Sequence, residues 1–140
     1  MVNEQLTVLL SHHFFGRSFP DLFEAMGFKV LWSESYTELE ISAISNPIDF
    51  AIEWQWGEND YPIREMLTDL HKNTPIFLSL NWNRKLPSNF QELGYAGFLE
   101  VPYTIMEIRT KFLKPLSPAK QLLLMQMPFW NDNFKHFYFN

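Results

Sequence analysis

Short apolar runs alternate five times along the chain with segments in which apolar residues recur at helical spacing. The runs have strand length, and they cover Leu6–Leu10, Phe28–Trp32, Ile48–Trp54, Pro75–Leu80 and Gly97–Val101. Continuous apolar runs are typical of parallel strands that are buried on both faces. Five successive β-then-α units predict an α/β fold with helices on both sides of a parallel sheet. Because crossovers are right-handed, we expect a five-stranded doubly wound sheet in the order 2-1-3-4-5.

Capping residues mark the ends of several predicted helices. The capping-box pattern, a Ser or Thr followed three residues later by Glu or Gln, begins at Ser35, Ser88 and Thr104. Gly27 and Gly94 follow the first and fourth helical segments, where a glycine in the left-handed conformation commonly ends a helix. These signals predict that a separate helix follows each strand.

Composition excludes several classes of protein. Hydrophobic residues make up 46% of the 140 residues and charged residues 19%, which excludes a disordered chain. The formal net charge of −5 argues against binding to a nucleic-acid backbone. The absence of Cys excludes a disulfide framework, a thiolate zinc site and a cysteine nucleophile. Residues 1–15 lack the pattern of a signal peptide, and no apolar run reaches the roughly 20 residues of a membrane helix, so we expect a cytoplasmic protein.

A ligand of an open parallel sheet binds beyond the carboxyl ends of the strands, where the strand order reverses between strands 1 and 3. The candidate residues at the strand ends are Ser11, His12, Glu53, Trp54, Ser79, Leu80 and Val101. No glycine-rich phosphate loop follows strand 1, which argues against a nucleotide or flavin ligand.

With these features the chain resembles a response-regulator receiver domain over about residues 5–115. The resemblance rests on the five units, on Gly27–Phe28 at the end of the first helix, on Gly94 before strand 5 and on the segment Phe98–Pro102. It implies a receiver fold and a role in signal transduction of the two-component type.

The resemblance also identifies the positions at which receiver domains carry their chemistry. An acidic pair after strand 1 holds Mg²⁺ in the family, and Ser11 and His12 stand there in this chain. An Asp at the end of strand 3 accepts the phosphoryl group, and Glu53 or Trp54 occupies that position here. Ser and neutral His are poor ligands for a hard cation, and Trp is not a nucleophile.

Two further family positions are altered. A Ser or Thr after strand 4 corresponds to Ser79 or Leu80, and the Lys before the proline after strand 5 is replaced by Val101. The aromatic position on strand 5 is retained as Phe98. We therefore expect a pseudo-receiver that is not phosphorylated, is not an enzyme, and uses neither metal nor cofactor.

Glu53 has two interpretations at this point. Its carboxylate stands in permanently for the phosphorylated state, or it is a strand-end group hydrogen-bonded to a neighbouring loop. Both interpretations are compatible with a module that has lost phosphotransfer.

A small-molecule or metal-sensing crevice is the alternative function. Trp54 could stack on an aromatic ligand, and His12 and His13 together with Glu53 could bind a transition metal. Adjacent residues at a strand end usually point to opposite faces, so we expect only one of the two histidines to reach the crevice easily.

Residues 117–140 extend beyond the receiver-like domain of residues 1–116. Ser117–Pro118 begins a further helix, and the aromatic tail after it includes Phe129, Trp130, Phe134 and Phe137. Such an apolar segment needs a cover. Either it docks on a second chain and forms a homodimer, or it packs within its own domain as a sixth helix.

Partners of receiver domains often use the surface of helix 4, strand 5 and helix 5. By resemblance, this surface includes Phe90, Tyr95, Phe98, Tyr103 and Met106. We expect a protein partner in a signalling pathway, and neither nucleic-acid binding nor membrane insertion.

Overall fold

A computed structural model describes residues 5–13, 17–55, 60–80, 85–100, 103–127 and 138–139. The chain forms a five-stranded parallel sheet in the order β2-β1-β3-β4-β5, which confirms the predicted topology. The strands are β1 (Thr7–Leu10), β2 (Lys29–Leu31), β3 (Phe50–Trp54), β4 (Ile76–Leu80) and β5 (Gly97–Glu100). They are shorter than the apolar runs in the sequence, because residues at the run ends belong to the connections.

Helices follow each strand, as the sequence predicts. They are α1 (Ser18–Ala25), α2 (Tyr36–Ser45), α3 (Pro62–Leu70), α4 (Phe90–Leu93), α5 (Ile105–Leu113) and α6 (Pro118–Met125). Two short strands, β6 (Tyr103–Thr104) and β7 (Tyr138–Phe139), pair antiparallel outside the main sheet. Within the described residues, no helix is long and apolar enough to span a membrane.

Alternate residues of the strands point into two separate cores. On one face, Phe50 and Phe77 pack with Phe112 of α5, and the rings of Phe50 and Phe112 stack with centroids 4.1 Å apart. On the other face, Leu9 and Leu78 pack with side chains of α2 and α3. Helices therefore cover both sides of the sheet, and the strand ends remain the place where loops meet.

Most of the predicted caps are present. The side chains of Ser35, Thr104 and Ser117 each accept a hydrogen bond from a backbone N–H in the first turn of the helix that follows. The expected cap at Ser88 is wrong, because α4 begins after Asn89 and neither side chain caps it. α4 has only four residues, so a cap there would stabilise only a single turn.

Helix α6 packs against its own domain. Leu124 is fully buried in the core on the α1 and α5 side of the sheet, and Gln121 Nε2 donates to the carbonyls of Leu113 and Leu116. Lys120 Nζ lies 2.6 Å from a carboxylate oxygen of Asp49. These contacts agree with the intramolecular alternative for this helix. The tail residues Phe129, Trp130, Phe134 and Phe137 lie outside the described residues.

Candidate functional site

The turn after β1 carries the first group of predicted site residues. Ser11 is fully buried, and its backbone N–H donates to the carbonyl of Ile52 at 3.0 Å. The Ser11 hydroxyl oxygen accepts a hydrogen bond from the backbone N–H of His13 at 3.2 Å. The side chain therefore stabilises the turn that presents the two histidines.

His12 and His13 lie together rather than apart. Their ring centroids are 4.0 Å apart, and His12 also meets Tyr36 edge-on at 5.4 Å. The expectation that the two rings point to opposite faces is wrong, because both residues follow the end of β1 and lie in a turn, where strand alternation no longer holds. Burial lowers the pKa of both imidazoles, and Asp60 partly opposes this effect. At neutral pH both rings are therefore uncharged.

The Glu53 side chain points beneath α3 and makes three hydrogen bonds. The backbone N–H groups of Ile63 and Arg64 donate to its two carboxyl oxygens at 2.7 and 3.2 Å. The hydroxyl of Tyr95 donates to one of the same oxygens at 2.6 Å. The side chain is fully buried. Glu53 thus caps the amino end of α3, where free N–H groups and the helix dipole favour a negative charge.

Two opposing effects set the protonation of Glu53. Burial raises the pKa of this carboxyl from 4.5 to about 7, although the hydrogen bonds from Tyr95, Ile63 and Arg64 act in the opposite direction. Each of these contacts is a donor to the carboxyl oxygens, so the geometry is that of an ionised carboxylate. This arrangement matches the interpretation of Glu53 as a strand-end group bonded to a neighbouring segment.

Tyr95 connects Glu53 to an aromatic cluster before β5. Its ring stacks on Phe90 with an interplanar angle of 8°, and it meets Tyr61 edge-on at 6.0 Å. Burial, together with the negative charge of Glu53, raises the pKa of the Tyr95 phenol above its usual range. The phenol therefore remains a donor throughout the physiological pH range.

The other predicted site residues divide between the two faces of the sheet. Trp54 contributes to the core on the α1 and α5 side, and Leu80 contributes to the core on the α2 and α3 side. Ser79 is fully buried, and its hydroxyl has no hydrogen-bond partner within the described part of the chain. Gln55, which directly follows β3, donates from Nε2 to the carbonyl of Lys85 at 3.0 Å. Val101 lies outside the described residues.

No metal centre is present among the residues that the structure describes. No group of three His, Asp or Glu side chains there is close enough to hold an ion. The two histidines are adjacent, but Glu53 is committed to α3 and Tyr95. The three groups of the metal-binding alternative therefore do not form one ligand set in this conformation.

Several solved structures share this fold. The Vibrio cholerae chemotaxis protein CheY4 is 17% identical, with a TM-score of 0.63 over 81% of this chain and 100% of that chain. The chain has the fold of a response-regulator receiver domain. A receiver domain of Leptospira biflexa HemR is also 17% identical, with a TM-score of 0.59 over 81% of this chain and 95% of that chain.

A third structure with the receiver fold shows a phosphorylated protein. It is a response regulator from Burkholderia pseudomallei with a phosphorylated aspartic acid, a calcium ion and citrate. It is 14% identical, with a TM-score of 0.61 over 88% of this chain and 73% of that chain. No family model and no curated protein matches this chain by sequence. The likeness to the receiver fold is therefore structural.

The residues predicted to form an interaction surface lie in different environments. Phe90 and Phe98 are half-buried and meet edge-on at 5.7 Å, and Met106 is half-buried at the start of α5. The placement of Tyr95 differs from the expectation, because it is buried and directed at Glu53 rather than exposed. The backbone of Tyr103 pairs with that of Phe139.

Lys111 lies beside Phe98, and the sequence did not single it out. It extends from α5, its ammonium group donates to the carbonyl of Phe98, and it lies 4.4 Å from the centre of the Phe98 ring. Its position on α5 gives no sign of this contact, since the contact depends on how α5 packs beside β5. Tyr95 was missed as a partner of Glu53 for the same reason: 42 residues separate them.

Proposed function

We propose that this chain is a signalling module of receiver fold that acts through protein–protein contact and does not accept a phosphoryl group. The observation that carries the proposal is the position of Glu53. It stands at the end of β3, and both of its carboxyl oxygens accept hydrogen bonds beneath α3. A carboxylate that accepts a phosphoryl group needs an accessible oxygen aligned with the donor. Both oxygens of Glu53 are hydrogen-bonded and the side chain is fully buried, so neither is open to a phosphodonor in this conformation.

The end of β1 supports the same proposal. Ser11 uses its hydroxyl within the turn, and the neighbouring imidazoles are neutral at pH 7. Phosphoryl transfer also needs cations that neutralise the developing negative charge, and Mg²⁺ prefers carboxylate oxygens. Val101 stands where receiver domains carry a Lys, so the sequence offers no ammonium group at that position.

The test is the intact mass of the protein after incubation with a small-molecule phosphodonor and Mg²⁺. We expect the mass to remain that of the unmodified chain. Glu53→Gln serves as the control for the acceptor position, and a receiver domain known to phosphorylate serves as the positive control. An added phosphate that disappears in Glu53→Gln would show that the site is active.

The partner surface belongs to the same proposal. Phe90 and Phe98 meet edge-on, Lys111 lies over the Phe98 ring, and Met106 of α5 is likewise half-buried. Aromatic and Met side chains are enriched in the cores of protein interfaces. We expect a partner captured by the intact protein to be lost with Phe98→Ser. A matched substitution of an exposed apolar residue on the other side of the sheet, Leu122→Ser of α6, should retain it.

A role of the tail in dimerisation is a separate part of the proposal. Helix α6 packs within its own domain, so any exchange between chains would involve residues 128–137. Sedimentation of the full chain, compared with a chain ending at Met127, measures this directly. A dimer only of the full chain supports exchange through the tail, whereas two monomers exclude it.

A ligand-sensing function is favoured by one observation. The Ser79 hydroxyl and Gln55 Oε1 are buried near neighbouring strand ends and have no hydrogen-bond partner in the described ranges. A buried polar atom without a partner is costly unless water or a ligand satisfies it. A thermal-shift screen tests this function. A ligand-dependent rise in melting temperature that His12→Ala abolishes would favour sensing over the interaction module.

A further inference from the structure

A groove runs between α2 and α3 on the side of the sheet opposite α5. Its volume is about 310 Å³, and its walls include Tyr36, Glu40 and Ile44 of α2. These three residues are four apart, so they form one stripe along the helix. The stripe covers eight residue steps, or about 12 Å, which is the length of two helical turns. The opposite wall is formed by α3.

Carboxylates line both sides of this groove. Glu40 lies on α2, and Glu65 and Asp69 lie on α3. None of the three makes an ion pair or a side-chain hydrogen bond within the described residues. After burial, the charges of Glu40 and Glu65 are the main causes that raise the pKa of the Tyr36 phenol. The groove therefore has an uncompensated negative potential.

The same region exposes large apolar side chains. Ile44 is 66% exposed and Leu70 is 41% exposed, and both line the groove. Ile41, one turn before Ile44 on α2, is 59% exposed. By contrast, Ala43 is buried, and its carbonyl accepts a hydrogen bond from the His71 ring at 2.7 Å. The two helices are thus fixed to each other, while their outer apolar residues remain without cover.

We propose that the groove between α2 and α3 binds a helical segment of another protein that carries apolar residues flanked by Lys or Arg. Apolar side chains of such a helix would cover Ile44 and Leu70, and its cations would meet Glu40, Glu65 and Asp69. A second copy of this chain is a poor occupant, because its formal net charge is −5 and its own groove is acidic. This groove is separate from the proposed partner surface on α4, β5 and α5.

The probe is a synthetic peptide of about 14 residues that places Leu at positions i, i+3, i+4 and i+7 and Lys on the flanks. A matched peptide carries Glu in place of every Lys. Each is titrated into the isotopically labelled full chain, and amide chemical shifts are recorded by NMR. We expect the Lys peptide to bind with shifts concentrated in α2 and α3, and the Glu peptide to produce none.

Variants separate the groove from general attraction to an acidic protein. We expect Ile44→Ser, and separately the pair Glu40→Lys with Asp69→Lys, to weaken binding of the Lys peptide about tenfold or more. The pair Glu92→Lys with Glu107→Lys changes the net charge by the same amount but lies on α4 and α5. It should change affinity less than about twofold, apart from long-range attraction that salt screens. Unchanged melting temperatures confirm that each variant is folded.

Several results would overturn the proposal. They are the absence of binding, shifts centred on α4 and β5, and equal weakening by both charge-reversal pairs. Concentration-dependent shifts of α2 and α3 amides without peptide would instead identify a second copy as the occupant. The phosphodonor experiment and the Phe98→Ser experiment do not involve this groove, so their failure is distinguishable from failure here.

Discussion

Replacing Tyr95 with Phe removes the hydroxyl group that donates a hydrogen bond to the Glu53 carboxyl. The Tyr95 hydroxyl lies 2.6 Å from Glu53, and both side chains are buried. A hydrogen bond to a charged group contributes about 1.5–3 kcal/mol to stability, whereas a bond between neutral groups contributes about 1 kcal/mol. The loss should therefore depend on whether Glu53 is ionised.

The sign of the pH dependence follows from the pKa of Glu53. Burial raises this pKa from 4.5 to about 7 in the folded protein, so the folded state binds more protons than the unfolded state between these values. The contribution of Glu53 to stability is complete below pH 4.5 and is lost as pH rises through 7. At pH 5, Glu53 is mostly protonated when folded, and at pH 8.5 it is mostly ionised.

Urea denaturation at pH 5 and pH 8.5 measures the effect. We expect Tyr95→Phe to lower the free energy of unfolding by about 2 kcal/mol at pH 8.5 and by about 1 kcal/mol at pH 5. The difference of about 1 kcal/mol corresponds to a rise of somewhat less than one unit in the pKa of Glu53. The Tyr95 phenol keeps its proton in the folded state at pH 8.5, because burial raises its pKa.

Tyr61→Phe is the matched control. Tyr61 is also buried and touches the Tyr95 ring, but its hydroxyl makes no hydrogen bond with other described residues. Tyr61→Phe should lower the free energy of unfolding by less than Tyr95→Phe does, and by the same amount at both pH values. Equal losses for Tyr95→Phe at the two pH values, or no loss at pH 8.5, would refute the assignment of its hydroxyl as a donor to a carboxylate.

Three further predictions concern the pH profile, α6 and a helix end. Ionisation of Glu53 should lower the stability of the wild-type protein by up to about 3 kcal/mol as pH rises from 4.5 to 7. Glu53→Gln should remove that component from the pH profile of the free energy of urea unfolding. A pH profile with the same slope in the variant would contradict the raised pKa. Leu124→Ala should cost about 2–5 kcal/mol of unfolding free energy because it leaves a cavity at a buried site. Leu122→Ala on the exposed side of α6 should cost less than about 0.5 kcal/mol. Equal denaturation midpoints for the two variants would show that α6 is not part of the core. Gly27→Ala should cost about 1–2 kcal/mol or more, since φ is +105° and a Cβ would lie 3.2 Å from the Met127 side chain. Gly94→Ala, at φ +82° in open space, should lower the melting temperature less. The reverse order in thermal melts would contradict this packing.

The sequence was sufficient to predict the main sheet because each strand has a distinct continuous apolar run. The run Ile48–Trp54 became β3, and parallel pairing with β1 and β4 follows from its position between two helices. Helix α4 was harder to place, because only Phe90 and Leu93 supply its apolar contacts and one turn leaves little periodic signal.

The candidate site was predicted by position but not by contact. Glu53 was correctly placed at the end of β3, yet its partner Tyr95 comes from the segment before β5, and no local pattern connects the two residues. Strand alternation was expected to separate the rings of His12 and His13, but both residues lie in a turn after β1, where alternation no longer holds. Such contacts depend on tertiary packing, which periodicity does not encode.

The central claim is that the strand ends do not bind Mg²⁺ and a phosphoryl group together. The most direct measurement is NMR of the labelled full chain with Mg²⁺ and beryllofluoride, which imitates a phosphoryl group on a carboxylate. We predict that the amide signals of Ser11, His12 and Glu53 keep their positions at saturating concentrations of both. Saturable shifts of these signals that require Mg²⁺ and beryllofluoride together, and that Glu53→Gln abolishes, would contradict it.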